Sequence, residues 1–120
     1  MKPELKKRWT DALRSGEYDQ TQGWLRDKRG FCCLGVACEV FGPEVGLDVK
    51  PTTSAVKDHW LYGNLSDNLP IELIGLLETD GYGTLKKEIE FEGGTYTTLQ
   101  GLNDAGMSFS EIADIIDEQF

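Results

Sequence analysis

The sequence has few basic side chains, few cysteines and a single histidine. It holds 12 Lys and Arg against 21 Asp and Glu, a net charge of −9, which opposes general binding to nucleic acid phosphates. Three cysteines and His59 are enough ligands, by number, to coordinate a zinc ion. Two of the cysteines are adjacent, however, and no C-x-x-C occurs. We therefore expect no nucleic-acid partner, no metal and no cofactor.

Phosphate-binding glycine motifs and membrane segments are missing as well. Neither G-x-G-x-x-G after a strand pattern nor G-x-x-x-x-G-K-[ST] occurs. No apolar run approaches the roughly 20 residues that cross a bilayer, and residues 2–9 mix basic side chains with Glu4 instead of forming a signal peptide. We expect no membrane partner and a cytoplasmic location.

The longest apolar segment is residues 31–42, FCCLGVACEVFG, in which Glu39 is the only charged side chain. It has the length of about three helical turns, and a helix that is apolar nearly all round belongs in a core. Gly42 is predicted to end it in a left-handed conformation, with Pro43 preventing continuation. We therefore predict a central helix over 31–41.

Further helices are predicted around this segment. Apolar residues at helical spacing predict helices over 3–15 and 69–79 and a short helical turn over 99–106. Ser108 and Glu111 form a capping box that begins a last helix. We expect the 120 residues to form one α+β domain: about four helices around the central one, with a small antiparallel sheet.

The clearest strand pattern is in residues 87–98, where apolar and charged side chains alternate up to a Gly93-Gly94 turn. With that turn, Phe91 is predicted to face Tyr96 across a hairpin. The outer face of the hairpin carries three carboxylates, Glu88, Glu90 and Glu92.

The connector of residues 17–30 brings basic side chains to the start of the central helix. Residues 1–30 hold eight of the 12 basic residues, whereas the last 17 residues hold five acids and no base. A helix N-terminus offers free N–H groups and partial positive charge. We predict an anion site contacted by Arg26 or Arg29; the alternative is that these are turn charges in water.

A nucleophilic thiol is a second kind of site, with Cys32 or Cys33 at the helix start and His59 as base. The local sequence matches no known nucleophile pattern, and free cysteine behaves as a small buried hydrophobe. We therefore expect core thiols and no catalytic residue. Asn103 and Asp104 precede the last helix and either hold a ligand or brace the turn, and bracing is the commoner role of such residues.

Several segments resemble small proteins of bacteriophages and prophages. They are ALRSGEYDQ, LR and GFCCLGVAC in residues 12–38, and LNDAGMSFSEIADII in residues 102–116. The resemblance implies a phage or prophage origin and a small α+β domain. It brings no settled activity.

Small acidic phage proteins are often accessory or counter-defence factors, an association that rests on analogy. We therefore expect a non-enzymatic protein that sequesters a small phosphorylated or nucleotide-type signal in a bacterial host cell. Arginines would contact phosphate and aromatic rings would stack on a base. The candidate ligand contacts are Arg14, Trp24, Arg26, Arg29, Trp60, Tyr62, Asn103 and Asp104.

Two other functions stay open. In the first, the carboxylates of the hairpin and of the last helix, Asp114, Asp117 and Glu118, dock on a basic host protein as an inhibitor or DNA mimic. In the second, the cysteines serve a small enzyme. The sequence also leaves a homo-oligomer open.

Overall fold

The computed structural model describes residues 1–52 and 58–120, and in that part of the chain it has five α-helices and three two-stranded antiparallel sheets. The predicted α+β class is confirmed. The first half contains α1 (Pro3–Arg14), β1 (Arg26–Asp27), β2 (Gly30–Phe31), α2 (Cys33–Phe41), a 3₁₀ turn (Gly42–Val45), β3 (Val49–Pro51) and β4 (Trp60–Tyr62). The second half contains α3 (Ile71–Leu77), β5 (Thr84–Phe91), β6 (Gly94–Thr98), α4 (Leu99–Asp104) and α5 (Phe109–Gln119).

Helix α2 is the centre of the core. Seven of its nine residues are buried, and the side chain of Glu39 is the one that is exposed. A Cβ at Gly35 would lie 1.8 Å from the carbonyl oxygen of Leu25, so only glycine allows the helix to approach that backbone. The helix begins two residues later than predicted, because Phe31 pairs with Arg26 between β1 and β2.

The end of α2 differs from the prediction. Gly42 has φ −53° and is right-handed, and the chain tightens into the 3₁₀ turn up to Val45. Pro43 is tolerated there because the first turn of a helix does not use its N–H. The left-handed residue is instead Gly46, with φ 67°.

Helix α1 packs against α5 and against α2. The indole of Trp9 is fully buried, and its Nε1–H donates to the Cys33 carbonyl oxygen at 3.0 Å. On the surface, the Arg14 guanidinium lies 2.7 Å from Asp114 and 2.8 Å from Asp117. One basic residue of the first helix is therefore neutralised by two acids of the last helix. Ser108 caps α5 as predicted, accepting from the Glu111 N–H.

The turn of the β5–β6 hairpin is not the predicted Gly93-Gly94. Its two central residues are Glu92 and Gly93, with φ 47° and 82°, and Phe91 pairs with Gly94. Positive φ at both positions is the type I′ geometry. Gly94 belongs to the strand because the Tyr96 ring covers it: a Cβ there would lie 2.8 Å from the Tyr96 hydroxyl.

Strand β5 begins earlier than predicted and has an irregularity between Thr84 and Ile89. The side-chain amide of Gln119 fills it. Its Oε1 accepts from the Lys87 N–H and its Nε2 donates to the Lys87 carbonyl oxygen, each at 2.9 Å. The last residue of α5 thus takes the place of a strand partner for the N–H and the C=O of Lys87.

The short strands β1 to β4 form the other side of the molecule. Strands β1 and β2 make a hairpin, β3 pairs with β4, and an antiparallel bridge between Asp27 and His59 joins the two sheets. The sequence of residues 53–60 predicts a short helix. Residues 53–57 lie outside the described residues, and Trp60 lies in β4. None of the helices in the described part of the chain is long and apolar enough to cross a membrane.

Candidate anion-binding site

A cluster of rings surrounds the guanidinium of Arg26. Its Cζ lies 4.2 Å from the centroid of the Trp60 ring and 5.1 Å from that of Phe31. Tyr18 meets Phe31 edge-on, with centroids 5.2 Å apart. Strand β1 supplies Arg26, β2 supplies Phe31 and β4 supplies Trp60. The two short sheets thus hold one cation against aromatic faces. We call Tyr18, Arg26, Phe31, Trp60 and Tyr62 the aromatic cluster.

Arg26 differs from the other arginines in its charge partners. Arg8 pairs with Glu44, Arg14 with two aspartates of α5, and Arg29 with Asp27. Among the described residues, Arg26 is the one arginine with no carboxylate oxygen within 4.0 Å. Its positive charge is held in place by rings, which leaves the hydrogen-bonding edge of the guanidinium without a carboxylate.

The guanidinium borders a depression of about 160 Å³ between α2 and β3. Arg26 and Glu39 are the charged residues in its lining. The other lining residues are Cys38, Gly42, Pro43, Leu47 and Val49. Pockets for drug-sized ligands hold about 300–1,000 Å³, so this depression suits a small ligand or the polar end of a larger one.

Glu39 is tied to the aromatic cluster through Tyr62. The Tyr62 hydroxyl donates to Glu39 Oε2 at 3.0 Å. Burial, followed by the charge of Glu39, raises the pKa of Tyr62 well above its usual value, although the neighbouring Arg26 opposes the shift. Burial and the same carboxylate also raise the pKa of Tyr18. Both phenols therefore stay protonated, and Glu39 is the acceptor on this face.

A second, smaller recess has Trp60 in its lining. Its volume is about 70 Å³, and it is lined by Lys28, Pro51, Thr52, Asp58, His59 and Trp60. The His59 ring stacks on Trp24 with centroids 4.0 Å apart and is 5% exposed. Within the described residues its Nδ1 has no hydrogen-bond partner. Lys28 and Asp58 form an ion pair at 2.7 Å beside it.

A family described as a domain of unknown function (DUF8296) matches residues 1–120. The chain belongs to this family. No curated protein and no solved structure matches it. Membership in DUF8296 carries no activity with it, so the function of the chain is argued from its site.

The DUF8296 chain brings three of the eight predicted contact residues together: Arg26, Trp60 and Tyr62. Trp24 lies next to this group, because its ring stacks on His59, which precedes Trp60 in the sequence. The ring of Tyr62 is fully buried, so its hydroxyl, and not its face, is the group that reaches Glu39. The prediction that a base stacks on Tyr62 is therefore not supported, because the buried ring offers no exposed face.

Arg29 and Arg14 lie outside this group. Arg29 is at the exposed turn between β1 and β2, where its guanidinium and N–H both bind Asp27. Burial alone would raise the pKa of Asp27, but these bonds and one from Thr21 outweigh it and lower the pKa. Arg14 is held by the aspartates of α5. Neither guanidinium belongs to the Arg26 depression.

Asn103 and Asp104 brace the structure, which was the favoured alternative for them. Asn103 is fully buried; its Oδ1 accepts from Gln20 Nε2 at 2.9 Å and from the Cys33 N–H at 3.1 Å. Its Nδ2 donates to the Thr21 carbonyl oxygen at 2.8 Å. Asp104 accepts from the N–H of Gly23. These bonds fasten the connector to α2 and α4, so the two residues serve the fold.

The thiols offer little to a nucleophilic mechanism. All three cysteines are free and buried. Burial raises the pKa of Cys32 to about 12 and raises those of Cys33 and Cys38 well above their usual value. The thiolate that attacks a substrate is therefore scarce at neutral pH. In the described part of the chain, no group of three or more His, Cys, Asp or Glu is placed to hold a metal ion.

Sequence reasoning missed Glu39 as a site residue. A signal was present, since Glu39 is the only charge in the apolar segment 31–42 and so had to mark the exposed side of the central helix. The unpartnered nitrogen of His59 had no such signal, because it depends on what the fold places around the ring.

Proposed function

We propose that the protein binds a small anionic ligand of nucleotide type at Arg26 and holds it without converting it. The observation that carries the proposal is the position of Arg26. It is held between two rings at the border of a depression, and no described carboxylate lies within 4.0 Å of it.

The physical argument is one of preorganisation. A guanidinium is a planar fork that matches the oxygens of phosphate or carboxylate, and such charge-assisted pairs are strong and directional. The cation–π contact with Trp60 restricts the guanidinium before a ligand arrives, so less conformational entropy is lost on binding. The half-buried setting also strengthens the charge interaction relative to water.

The biological part of the proposal rests on the resemblance to phage and prophage proteins. A counter-defence protein in the cytoplasm of a bacterial host would meet nucleotide signals made by the immune systems of that host. Tight binding without conversion would keep such a signal from its receptor. The thiols described above supply no competing nucleophile at neutral pH.

The test is to mix the purified protein with a panel of cyclic nucleotides and ADP-ribose derivatives. Free ligand is measured by chromatography before and after heat denaturation. We expect one class of ligand to disappear on mixing and to return intact after heating. A ligand that returns altered would make the protein an enzyme, and a panel that stays free throughout would remove the proposal.

Three variants locate the site. Arg26→Ala should weaken binding about tenfold or more, because it removes a hydrogen-bonding charge. Arg26→Lys keeps the charge and loses the planar fork, so it should recover only part of the affinity. Lys86→Ala is the control, since it removes one exposed positive charge from β5, and should leave affinity unchanged. Equal loss in Arg26→Ala and Lys86→Ala would indicate general charge attraction instead of a site.

A second candidate function, docking on a basic host protein, is favoured by the hairpin alone. Glu88, Glu90 and Glu92 are exposed, and in the described residues no cation lies within 4.0 Å of them, whereas Asp114 and Asp117 are paired with Arg14. Reversal of the three hairpin charges to lysine should abolish a salt-sensitive protein complex and spare ligand binding. Arg26→Ala should weaken ligand binding and spare the protein complex.

A further inference from the structure

We infer that Glu39 selects the ligand of the Arg26 depression, and that this ligand is a ribose phosphate whose free hydroxyls donate to the Glu39 carboxylate. The inference rests on the proposed function, because it assigns a partner to the second charge in the same depression. Arg26 would hold the phosphate and Glu39 the sugar.

The two charges share the depression without neutralising each other. Arg26 and Glu39 both line it, yet no guanidinium nitrogen comes within 4.0 Å of the carboxylate. The Tyr62 hydroxyl uses one position on Oε2. An ionised carboxylate offers about four lone-pair sites, so most of its capacity to accept hydrogen bonds remains. A ligand can therefore meet a donor at one point of the depression and an acceptor at another.

The acceptor restricts what the ligand can be. A bare anion such as inorganic phosphate would gain from Arg26 but would be repelled by Glu39. A ligand that also donates hydrogen bonds turns that repulsion into attraction. Neighbouring sugar hydroxyls are such donors, and an acidic side chain that binds the ribose 2′-hydroxyl is the established device of dinucleotide-binding folds.

The remaining lining fits a sugar. Pro43, Leu47 and Val49 provide apolar surface for the carbon skeleton of a ribose. A volume of about 160 Å³ suits a sugar phosphate and leaves an attached base outside, toward solvent. We therefore expect the sugar and its phosphate, more than the base, to determine affinity.

The experiment is calorimetric titration with adenosine 5′-monophosphate and with its 2′-deoxy counterpart. The wild type should bind the ribonucleotide about tenfold more tightly, since a hydrogen bond to a charged group is lost in the deoxy compound. In Glu39→Gln this preference should fall below about threefold, while the deoxynucleotide binds no more weakly than it does to the wild type.

Glu44→Gln is the matched control. Glu44 is an exposed glutamate in the 3₁₀ turn that follows α2, it pairs with Arg8, and it does not line the depression. It should keep the full tenfold preference. Circular dichroism at equal temperature checks that both variants are folded.

The outcomes separate this inference from the proposed function. If both nucleotides bind the wild type equally and Arg26→Ala abolishes both, the ribose assignment is overturned and anion binding stands. If neither nucleotide nor ribose 5-phosphate binds the wild type, the ribose assignment falls, and the panel above decides the proposed function separately. If a free amino acid binds more tightly than the nucleotide and its binding depends on Glu39, the ribose assignment is overturned. The partner of Glu39 is then an ammonium group.

Discussion

The helical part of the molecule, α1, α2, α4 and α5, and the strand part, β1 to β4, differ at particular polar side chains, although both parts contain ion pairs. In the helical part, Asn103 and Gln119 are buried and hydrogen-bonded, and the surface charges of α1 and α5 pair with each other. In the strand part, Arg26 has no carboxylate partner among the described residues. His59 Nδ1 has no hydrogen-bond partner among them either.

The difference separates stability from function. Native proteins satisfy nearly all buried polar groups, and each exception calls for an explanation. Asn103 and Gln119 are hydrogen-bonded within the fold, so their removal should cost stability. Arg26 has no carboxylate partner among the described residues, so its removal should cost binding and little stability. The following predictions test that division.

The largest effect is expected at the closest contact of α2. Gly35→Ala would place a Cβ 1.8 Å from the Leu25 carbonyl oxygen, and backbone must move. We expect a loss of about 4 kcal/mol or more in the free energy of unfolding, measured by urea denaturation. Gly75→Ala, at an exposed position of α3 with nothing within 4 Å of the added Cβ, should instead stabilise by about 0.5–1 kcal/mol. A similar result for both alanines would remove the packing argument.

Asn103→Ala should have the next largest effect. It leaves the Cys33 N–H and the Thr21 carbonyl oxygen without their partner in a buried place. Burying unsatisfied groups costs about 1–3 kcal/mol each, so we expect a loss of about 3 kcal/mol by the same denaturation. Asn64→Ala, at an exposed position, should change stability by less than about 0.5 kcal/mol. If the two substitutions cost the same, Asn103 is not a brace.

Alkaline pH should weaken the helical part through its thiols. The folded-state pKa of each cysteine is raised by burial, so the unfolded chain loses these protons first as pH rises. The contribution of each protonated thiol to the free energy of unfolding is therefore fully present below the ordinary thiol pKa. Above that pKa it is lost by about 1.4 kcal/mol per pH unit for each thiol. Unfolding free energy measured from pH 7 to 10 should fall accordingly. Cys33→Ala should show a shallower fall, and equal slopes would contradict the assignment.

The smallest effect is expected at His59. Phenylalanine keeps a ring against Trp24 and removes a buried nitrogen with no described partner, so His59→Phe should change stability by less than about 1 kcal/mol. His59→Ala removes the ring and should cost about 2 kcal/mol. Thermal unfolding of both variants makes the comparison. A large loss in His59→Phe would show that the ring nitrogens serve the fold after all.

Local chemistry made the elements of this fold predictable. The Ser108 cap, the apolar segment before Pro43 and the alternation of β5 depend on residues within one or two turns of each other. The hairpin turn was not predictable from its two glycines, because Gly94 lies in the strand against the Tyr96 ring and Glu92 takes the first turn position.

The site was only partly predictable for a related reason. Eight basic residues were visible in the first 30, but which of them are neutralised depends on distant partners. Arg14 meets α5 about a hundred residues away, while Arg26 meets rings from β2 and β4. Among the described residues, Arg26 is the arginine that has no carboxylate partner. This follows from charge pairs between distant parts of the chain, which cannot be read from the composition.

The charges of the β5–β6 hairpin have a consequence for solubility. A two-stranded sheet exposes backbone edges that invite pairing with other chains, which is a route to aggregation. Glu88, Glu90 and Glu92 are exposed, so copies that approach each other by this strand and its turn meet with like charges and repel each other. Replacing the three glutamates by glutamine should therefore shorten the time before concentrated protein precipitates.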